Sequence, residues 1–193
     1  MPTVAVNVWA VILSGVVKMK RTNKITLCAL MAALAVVLML CSFITYLTYA
    51  IPAFAGLCIM VVLLEIGSKW AFATFLTSAV FTVLFCEPEA MLLYVFLFGY
   101  YPILKAFIER INKPFIEWPI KFVFFNVVIV LVYTFIAELF GISINFESEL
   151  GKYAVYILLA LGNLVFLVYD ITVSKMASYY FVAIQPKFRK LFK

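Results

Sequence analysis

Residues 25–47 read ITLCALMAALAVVLMLCSFITYL, an apolar stretch of 23 residues without a charged side chain. A helix rises about 1.5 Å per residue, so this stretch is long enough to cross the ~30 Å hydrocarbon core of a bilayer with some tilt. The whole chain has the same character, with 67% hydrophobic residues, 12% charged residues and a mean hydropathy of +1.17. Soluble domains carry about 25% charged residues. The composition therefore predicts an all-α polytopic membrane protein with no polar stretch long enough for a second, soluble domain.

Glycine, proline and charged residues divide the remaining chain into five further apolar segments. Gly67 ends the second, residues 86–89 (Cys-Glu-Pro-Glu) end the third, and residues 112–114 (Asn-Lys-Pro) follow the fourth, where the proline disfavours helix at the residue before it. We therefore predict a bundle of six transmembrane helices in one domain, residues 19–193. The predicted spans are 25–47, 50–68, 70–85, 90–108, 116–140 and 153–173, with a polar loop at 141–152.

The second and third predicted spans are short, which leaves a re-entrant pair as the alternative. In that arrangement Lys69 would be buried, at a cost of several kcal/mol without a partner. Glu65, one helical turn earlier, is the partner that the sequence offers. A turn at Lys69 on the cytoplasmic side is the simpler account.

The basic residues predict the orientation. Six spans place fourteen of the fifteen Lys and Arg residues on one side and leave only Lys152 on the other. The positive-inside rule assigns the basic side, with both termini, to the cytoplasm of a bacterial cell. Because these residues flank apolar segments, lipid headgroups rather than nucleic acid are their expected partners. Five of the nine acids fall at or near the opposite face: Glu87, Glu89, Glu138, Glu147 and Glu149.

Residues 1–18 form an apolar leader. Its apolar part, residues 4–17, is only 14 residues long and lacks the basic start of a signal peptide. Met19 opens MKRTNKIT, an ordinary basic start ahead of a first span. We predict that translation begins at Met19. The alternatives are an interfacial helix or a seventh span.

The residue types in the chain exclude several kinds of catalytic and metal-binding site. The chain has no histidine, which excludes HExxH zinc proteases, Ser-His-Asp hydrolases and His-ligated haem. The cysteines form no CxxC pair and are expected to act as small buried hydrophobes. We therefore expect no enzymatic activity, no cofactor and no metal site. The cysteines are Cys28, Cys41, Cys58 and Cys86.

Small residues line the first span. Ala29 and Ala33 lie four residues apart, and Ala32 and Ala35 extend the strip, so another helix could approach closely. This strip, in the stretch KITLCALMAALAVVL with five spans after it, resembles the S components, the substrate-binding subunits of energy-coupling factor vitamin transporters. The resemblance covers roughly residues 20–181. It implies six helices, a small vitamin-like solute, and docking through Ala29 and Ala33 on a transmembrane coupling subunit that works with a pair of ATPases.

The resemblance places the solute in the outer half of spans four to six and the first outer loop. Three tyrosines and an acid lie at that depth, which would suit a cationic or flat aromatic ligand. Two asparagines near the bilayer centre would satisfy one another across spans five and six or line the floor of the pocket. The alternative for the tyrosines and the acid is an interfacial aromatic belt. The predicted solute-binding residues are Tyr94, Asn126, Tyr133, Glu138, Tyr156 and Asn163.

Three further features lie near the inner ends of the spans. Asp170 is expected to pair with Lys175 or a nearby cation and to act as an anchor. Lys105 and Glu109, one turn apart, are expected at a solvated cytoplasmic end of span four. Pro102 is expected to kink that span.

Two other classes of protein compete with a transport subunit. One is a non-transporting scaffold of envelope or cell-shape assembly. The other is an intramembrane enzyme, which the missing histidine disfavours. Co-purification with a coupling subunit and ATPases would separate the transport subunit from the scaffold.

Overall fold

The computed structural model describes residues 20–44, 48–111, 113–140 and 149–185. Within these ranges it describes every side chain except those at 114, 133–140, 149–156 and 158. Within these ranges all regular structure is helical, so the all-α prediction is confirmed. The predicted leader lies outside the described residues. The α-helices are α1 Arg21–Leu40, α2 Ile51–Ile66, α3 Ser68–Phe85, α4 Pro88–Leu93, α5 Tyr101–Ile108, α6 Pro114–Phe140 and α7 Glu149–Tyr179. Short 3-10 turns occupy Cys41–Phe43 and Glu109–Ile111, and π-helical turns occupy Tyr94–Phe98 and Tyr180–Ile184.

Five helical segments of the described chain are long and apolar enough to cross a membrane, and α2 is a shorter apolar helix. This result is consistent with a membrane protein. The last described helix differs from prediction, because α7 includes residues 149–152 of the predicted loop and continues past residue 173. Ser174 and Ser178 donate their hydroxyls to carbonyls one turn earlier, at 3.2 and 3.0 Å, so these polar side chains are satisfied within the helix. The five segments are Arg21–Phe43, Ser68–Phe85, Pro88–Ile111, Phe115–Val132 and Leu159–Ile184.

The short helix α2 lies at the centre of the molecule. Twelve of its sixteen residues are buried, and it packs against α1, α3, α4, α5 and α7. A helix with apolar residues around most of its circumference is stable in this position because most of its surface meets other elements. Gly67 ends α2 with a φ of 106°, a conformation that glycine adopts without steric cost. The chain then turns directly into α3.

Contacts between connections identify the two ends of the bundle. At the end that we call the acidic end, the Tyr49 hydroxyl donates to Glu89 at 3.2 Å and so joins the α1–α2 connection to the start of α4. At the opposite end, which we call the basic end after Lys69 at the start of α3, the Tyr180 hydroxyl donates to Glu65 at 3.0 Å and joins the end of α7 to the end of α2. Lys69, which follows the α2–α3 turn, is exposed. The buried Lys69 that a re-entrant pair requires is therefore not observed.

The fourth apolar segment is interrupted close to the predicted kink. The π-helical turn Tyr94–Phe98 is followed by two turn residues before α5 begins. Pro102 has no N–H to donate to the carbonyl of Phe98, four residues earlier. The Tyr169 hydroxyl of α7 lies 3.5 Å from that carbonyl and serves as a donor from a neighbouring helix. Contact with α7 therefore compensates for part of the interruption.

Candidate functional site: a buried charge tetrad

Four charged side chains meet inside the bundle at the basic end, and we call them the charge tetrad: Lys105, Glu109, Lys121 and Asp170. The Lys105 ammonium lies 2.8 Å from Glu109 Oε1 and also donates to Asp170 Oδ1. The Lys121 ammonium lies 2.6 Å from Glu109 Oε1 and 3.2 Å from Asp170 Oδ1. Each cation thus contacts both acids. The tetrad joins α5, the turn after it, α6 and α7.

Aromatic side chains lie beside the tetrad. The Tyr101 hydroxyl donates to Asp170 Oδ1 at 2.5 Å, and its ring lies edge-on to Phe166 at a centroid distance of 5.1 Å. Lys105 is fully buried, while Lys121 and Asp170 are each 3% exposed. Each charge in such surroundings needs an oppositely charged partner, because removal of one partner of a buried ion pair costs about 3–5 kcal/mol. The equal number of positive and negative charges makes the tetrad tolerable in the interior.

The structure corrects the expectation for Lys105. A solvated position was predicted because Lys105 and Glu109 lie one turn apart near the end of an apolar segment. That prediction is wrong, because Lys105 is fully buried and its ammonium contacts Asp170 of α7. Asp170 does bind nearby cations, as predicted, but these are Lys105 and Lys121, whereas Lys175 is exposed. A lone aspartate inside an apolar segment was the sequence signal for the tetrad.

Tyr94, the first predicted solute-binding residue, is fully buried. Its hydroxyl shares a hydrogen bond of 2.7 Å with Ser78, and its ring lies 6.0 Å from that of Phe75. Both partners belong to α3, so Tyr94 connects the fourth apolar segment to the third. Its proposed contact with a solute stays a prediction.

Asn126 and Asn163 form a reciprocal pair across α6 and α7. Asn126 Nδ2 donates to Asn163 Oδ1 at 3.0 Å, and Asn163 Nδ2 donates to Asn126 Oδ1 at 3.2 Å. Each amide also donates to the carbonyl four residues earlier, that of Phe122 or Leu159, at 2.8 Å. The prediction that the two amides satisfy one another is confirmed. Their role as the floor of a pocket stays a prediction.

The other predicted solute-binding side chains, Tyr133, Glu138 and Tyr156, lie outside the described part of the structure. Tyr133 and Glu138 belong to α6 and Tyr156 belongs to α7, so they share a helix pair with the two asparagines. Tyr94 is placed against α3 instead. The structure therefore joins Asn126 to Asn163, and the grouping of all six residues stays a prediction.

The predicted partner-binding residues Ala29 and Ala33 are exposed on α1. Ala32 and Ala35 are buried, on the side of α1 that packs against α2 and α3. The strip of alanines thus divides between two faces of the helix. Ala29 and Ala33 lie on the face that the described bundle leaves uncovered.

The acidic end carries a hydrogen-bonded tyrosine. Tyr49, in the turn before α2, donates to Glu89, and the negative charge of that carboxylate raises the pKa of the hydroxyl above its ordinary value. The Thr48 hydroxyl lies 3.1 Å from the carbonyl of Ser42 and 3.4 Å from a carboxylate oxygen of Glu87. These contacts fix the two connections against one another.

Comparisons with known proteins assign neither a family nor a function to the chain. No family model, curated protein or solved structure matches the chain. Among the described residues, no group of three or more Cys, Asp or Glu side chains is arranged to hold a metal ion.

Proposed function

We propose that this chain is the substrate-binding membrane subunit of an energy-coupling factor type importer for a small, vitamin-like solute. The observation that carries the proposal is the exposed position of Ala29 and Ala33 on α1. Small side chains on an uncovered helix face allow a second helix to approach closely, and close packing drives helix association in lipid. The occupant of that face would be a coupling subunit that works with a pair of ATPases.

The proposal includes six spans in a bacterial cytoplasmic membrane with both termini in the cytoplasm. Gly67 turns α2 directly into α3, and the end of α7 contacts the end of α2 through Tyr180 and Glu65. This arrangement supports a common end for the α2–α3 turn and the end of the last helix, as an even number of spans requires. The charge distribution supports a cytoplasmic location for that end.

The solute site of this proposal lies in the outer half of the fourth to sixth spans. Tyr94, Tyr133, Tyr156 and Glu138 would provide an aromatic and acidic lining, with Asn126 and Asn163 beneath it. Sites of this kind are mostly apolar with a few polar groups that orient the ligand. A cationic or flat aromatic solute fits that lining best.

Substitution of Ala33 by tryptophan tests the proposal. The chain is purified from native membranes, and co-purified proteins are identified together with the elution profile in detergent. We expect Ala33→Trp to lose the coupling subunit and ATPases while it stays monodisperse, because the bulky ring separates the two helices. Ala73→Trp is the matched control, since Ala73 is an exposed alanine on α3. Equal recovery of the partners with both variants, or their absence from wild type, would contradict the proposal.

A non-transporting scaffold is the second candidate. The observation that favours it is the internal use of the candidate ligand groups, because Tyr94 bonds to Ser78 and the asparagine amides bond to one another. Native mass spectrometry of the purified protein separates the two functions. A retained small molecule would support the transport subunit, whereas a ligand-free chain that co-purifies with envelope-assembly proteins would support the scaffold.

A further inference from the structure

The connection between α5 and α6 separates its charged side chains by sign. Residues 105–121 contain six of them. Four lie inside the protein, each no more than 11% exposed: Lys105, Glu109, Glu117 and Lys121. The two that are exposed, Arg110 and Lys113, are both cations. Because both acids of this stretch lie in the interior, its outer surface carries only positive charge.

The two exposed cations lie where one apolar segment ends and the next begins. Arg110 belongs to the 3-10 turn that ends the fourth apolar segment. Lys113 directly precedes α6, and its carbonyl accepts the backbone N–H groups of Ile116 and Glu117 at 2.9 and 3.1 Å. In a membrane protein, the ends of apolar segments lie at the level of the lipid headgroups. Both cations are therefore expected at headgroup level.

Exposed aromatic rings accompany these cations. The Arg110 guanidinium lies 4.8 Å from the ring centre of Phe107, a half-exposed side chain, and this contact holds the cation on the outer surface. Phe115 is 93% exposed and Trp118 is 38% exposed. Tryptophan side chains are enriched at membrane–water interfaces. We call these five residues the headgroup patch: Phe107, Arg110, Lys113, Phe115 and Trp118.

We propose that the headgroup patch is a binding site for an anionic phospholipid, with the lipid phosphate on Arg110 and Lys113 and the acyl chains along Phe115 and Trp118. Charge complementarity selects this occupant. A guanidinium can bond to two phosphate oxygens at once, and an ammonium adds a point charge. A zwitterionic lipid brings its own cation, which the patch would repel. The inference is independent of the transport proposal, because it requires only a membrane around the bundle.

Lipid titration of the delipidated full chain in detergent, followed by native mass spectrometry, tests this site. The probes are phosphatidylglycerol and phosphatidylcholine with the same acyl chains, and we expect tighter binding of phosphatidylglycerol. The double variant Arg110→Gln with Lys113→Gln should weaken phosphatidylglycerol binding by about 30-fold, the equivalent of about 2 kcal/mol for two cations at a membrane surface. Lys69→Gln with Lys175→Gln is the matched control, because it removes two exposed cations from α3 and α7. The control should bind phosphatidylglycerol like wild type.

Three results would overturn the proposal. The first is equal affinity of wild type for the two lipids. The second is an equal loss of phosphatidylglycerol binding in both double variants, because net charge rather than the patch would then bind the lipid. The third is release of bound phosphatidylglycerol by inorganic phosphate, because the cations would then form a site for a free anion. If the patch variant fails to fold, a photoreactive phosphatidylglycerol on wild type decides instead: crosslinks within residues 107–118 support the site, and crosslinks confined to other segments contradict it.

Discussion

Gly56 of α2 lies directly against the backbone carbonyl of Phe98, so that a Cβ at this position would come within 2.4 Å of the carbonyl oxygen. The same Cβ would lie 2.9 Å from the hydroxyl of Tyr169, which itself lies 3.5 Å from that oxygen. Three segments therefore meet at the carbonyl that Pro102 leaves without a helical donor. Only a glycine gives α2 this close an approach to the interrupted segment.

We predict that Gly56→Ala destabilises the protein by about 1–3 kcal/mol, because the added methyl group must displace a backbone atom in a packed interior. Thermal unfolding in detergent measures the change. Gly162→Ala is the matched control, since its Cβ would meet only the Phe125 ring, at 3.5 and 3.7 Å. There the helix propensity of alanine should leave stability unchanged or raise it by up to about 1 kcal/mol. A Gly56→Ala variant as stable as wild type would show that Phe98 and Tyr169 can move apart.

Removal of one cation from the tetrad should be more harmful than removal of an ion pair. Lys105→Met leaves two buried carboxylates with one ammonium group, and we predict a loss of about 3–5 kcal/mol. The double variant Lys105→Met with Asp170→Asn restores the balance and should recover much of that loss. The exposed Lys175→Met is the control and should unfold like wild type. Additive losses in the double variant would mean that the charges contribute independently.

The asparagine pair should contribute little to stability. Hydrogen bonds between membrane helices average about 0.6 kcal/mol in double-mutant cycles. We predict a coupling of this size between Asn126→Leu and Asn163→Leu, measured by unfolding of both single variants and the double variant. Each amide bonds mainly to the other and to its own helix, so the double variant should remain folded. A coupling near zero would indicate that the bond is replaced by other partners.

Cysteine labelling tests the orientation. In a cysteine-free background, we expect a probe at Glu89→Cys to react with a membrane-impermeant reagent added to intact cells. A probe at Lys69→Cys should react only after the membrane is opened. Both positions are exposed and lie at opposite ends of the bundle. The reverse pattern would contradict the cytoplasmic assignment of the basic end, and labelling of both probes in intact cells would contradict the six-span arrangement.

Some features of the site were predictable from the sequence, because they depend on how far a residue lies from the end of its own helix. Asn126 and Asn163 lie at matching depths on consecutive helices, and their mutual hydrogen bonds were predicted from that match. Asp170 was recognised as a charge that needs a cation. Its actual partners lie 65 and 49 residues away along the chain, and no local pattern selects them over Lys175.

The sequence by itself determined the helical class and the division into apolar segments, and it predicts that the basic residues concentrate at one end. These features follow from hydrophobicity and helix geometry, which act locally. Only the tertiary structure decided which charges are buried. Lys105 and Lys175 both lie near the ends of apolar segments, yet Lys105 is fully buried and Lys175 is exposed. The difference arises because α6 and α7 cover one side of α5, and a buried ammonium is stable only where the fold brings two carboxylates to it.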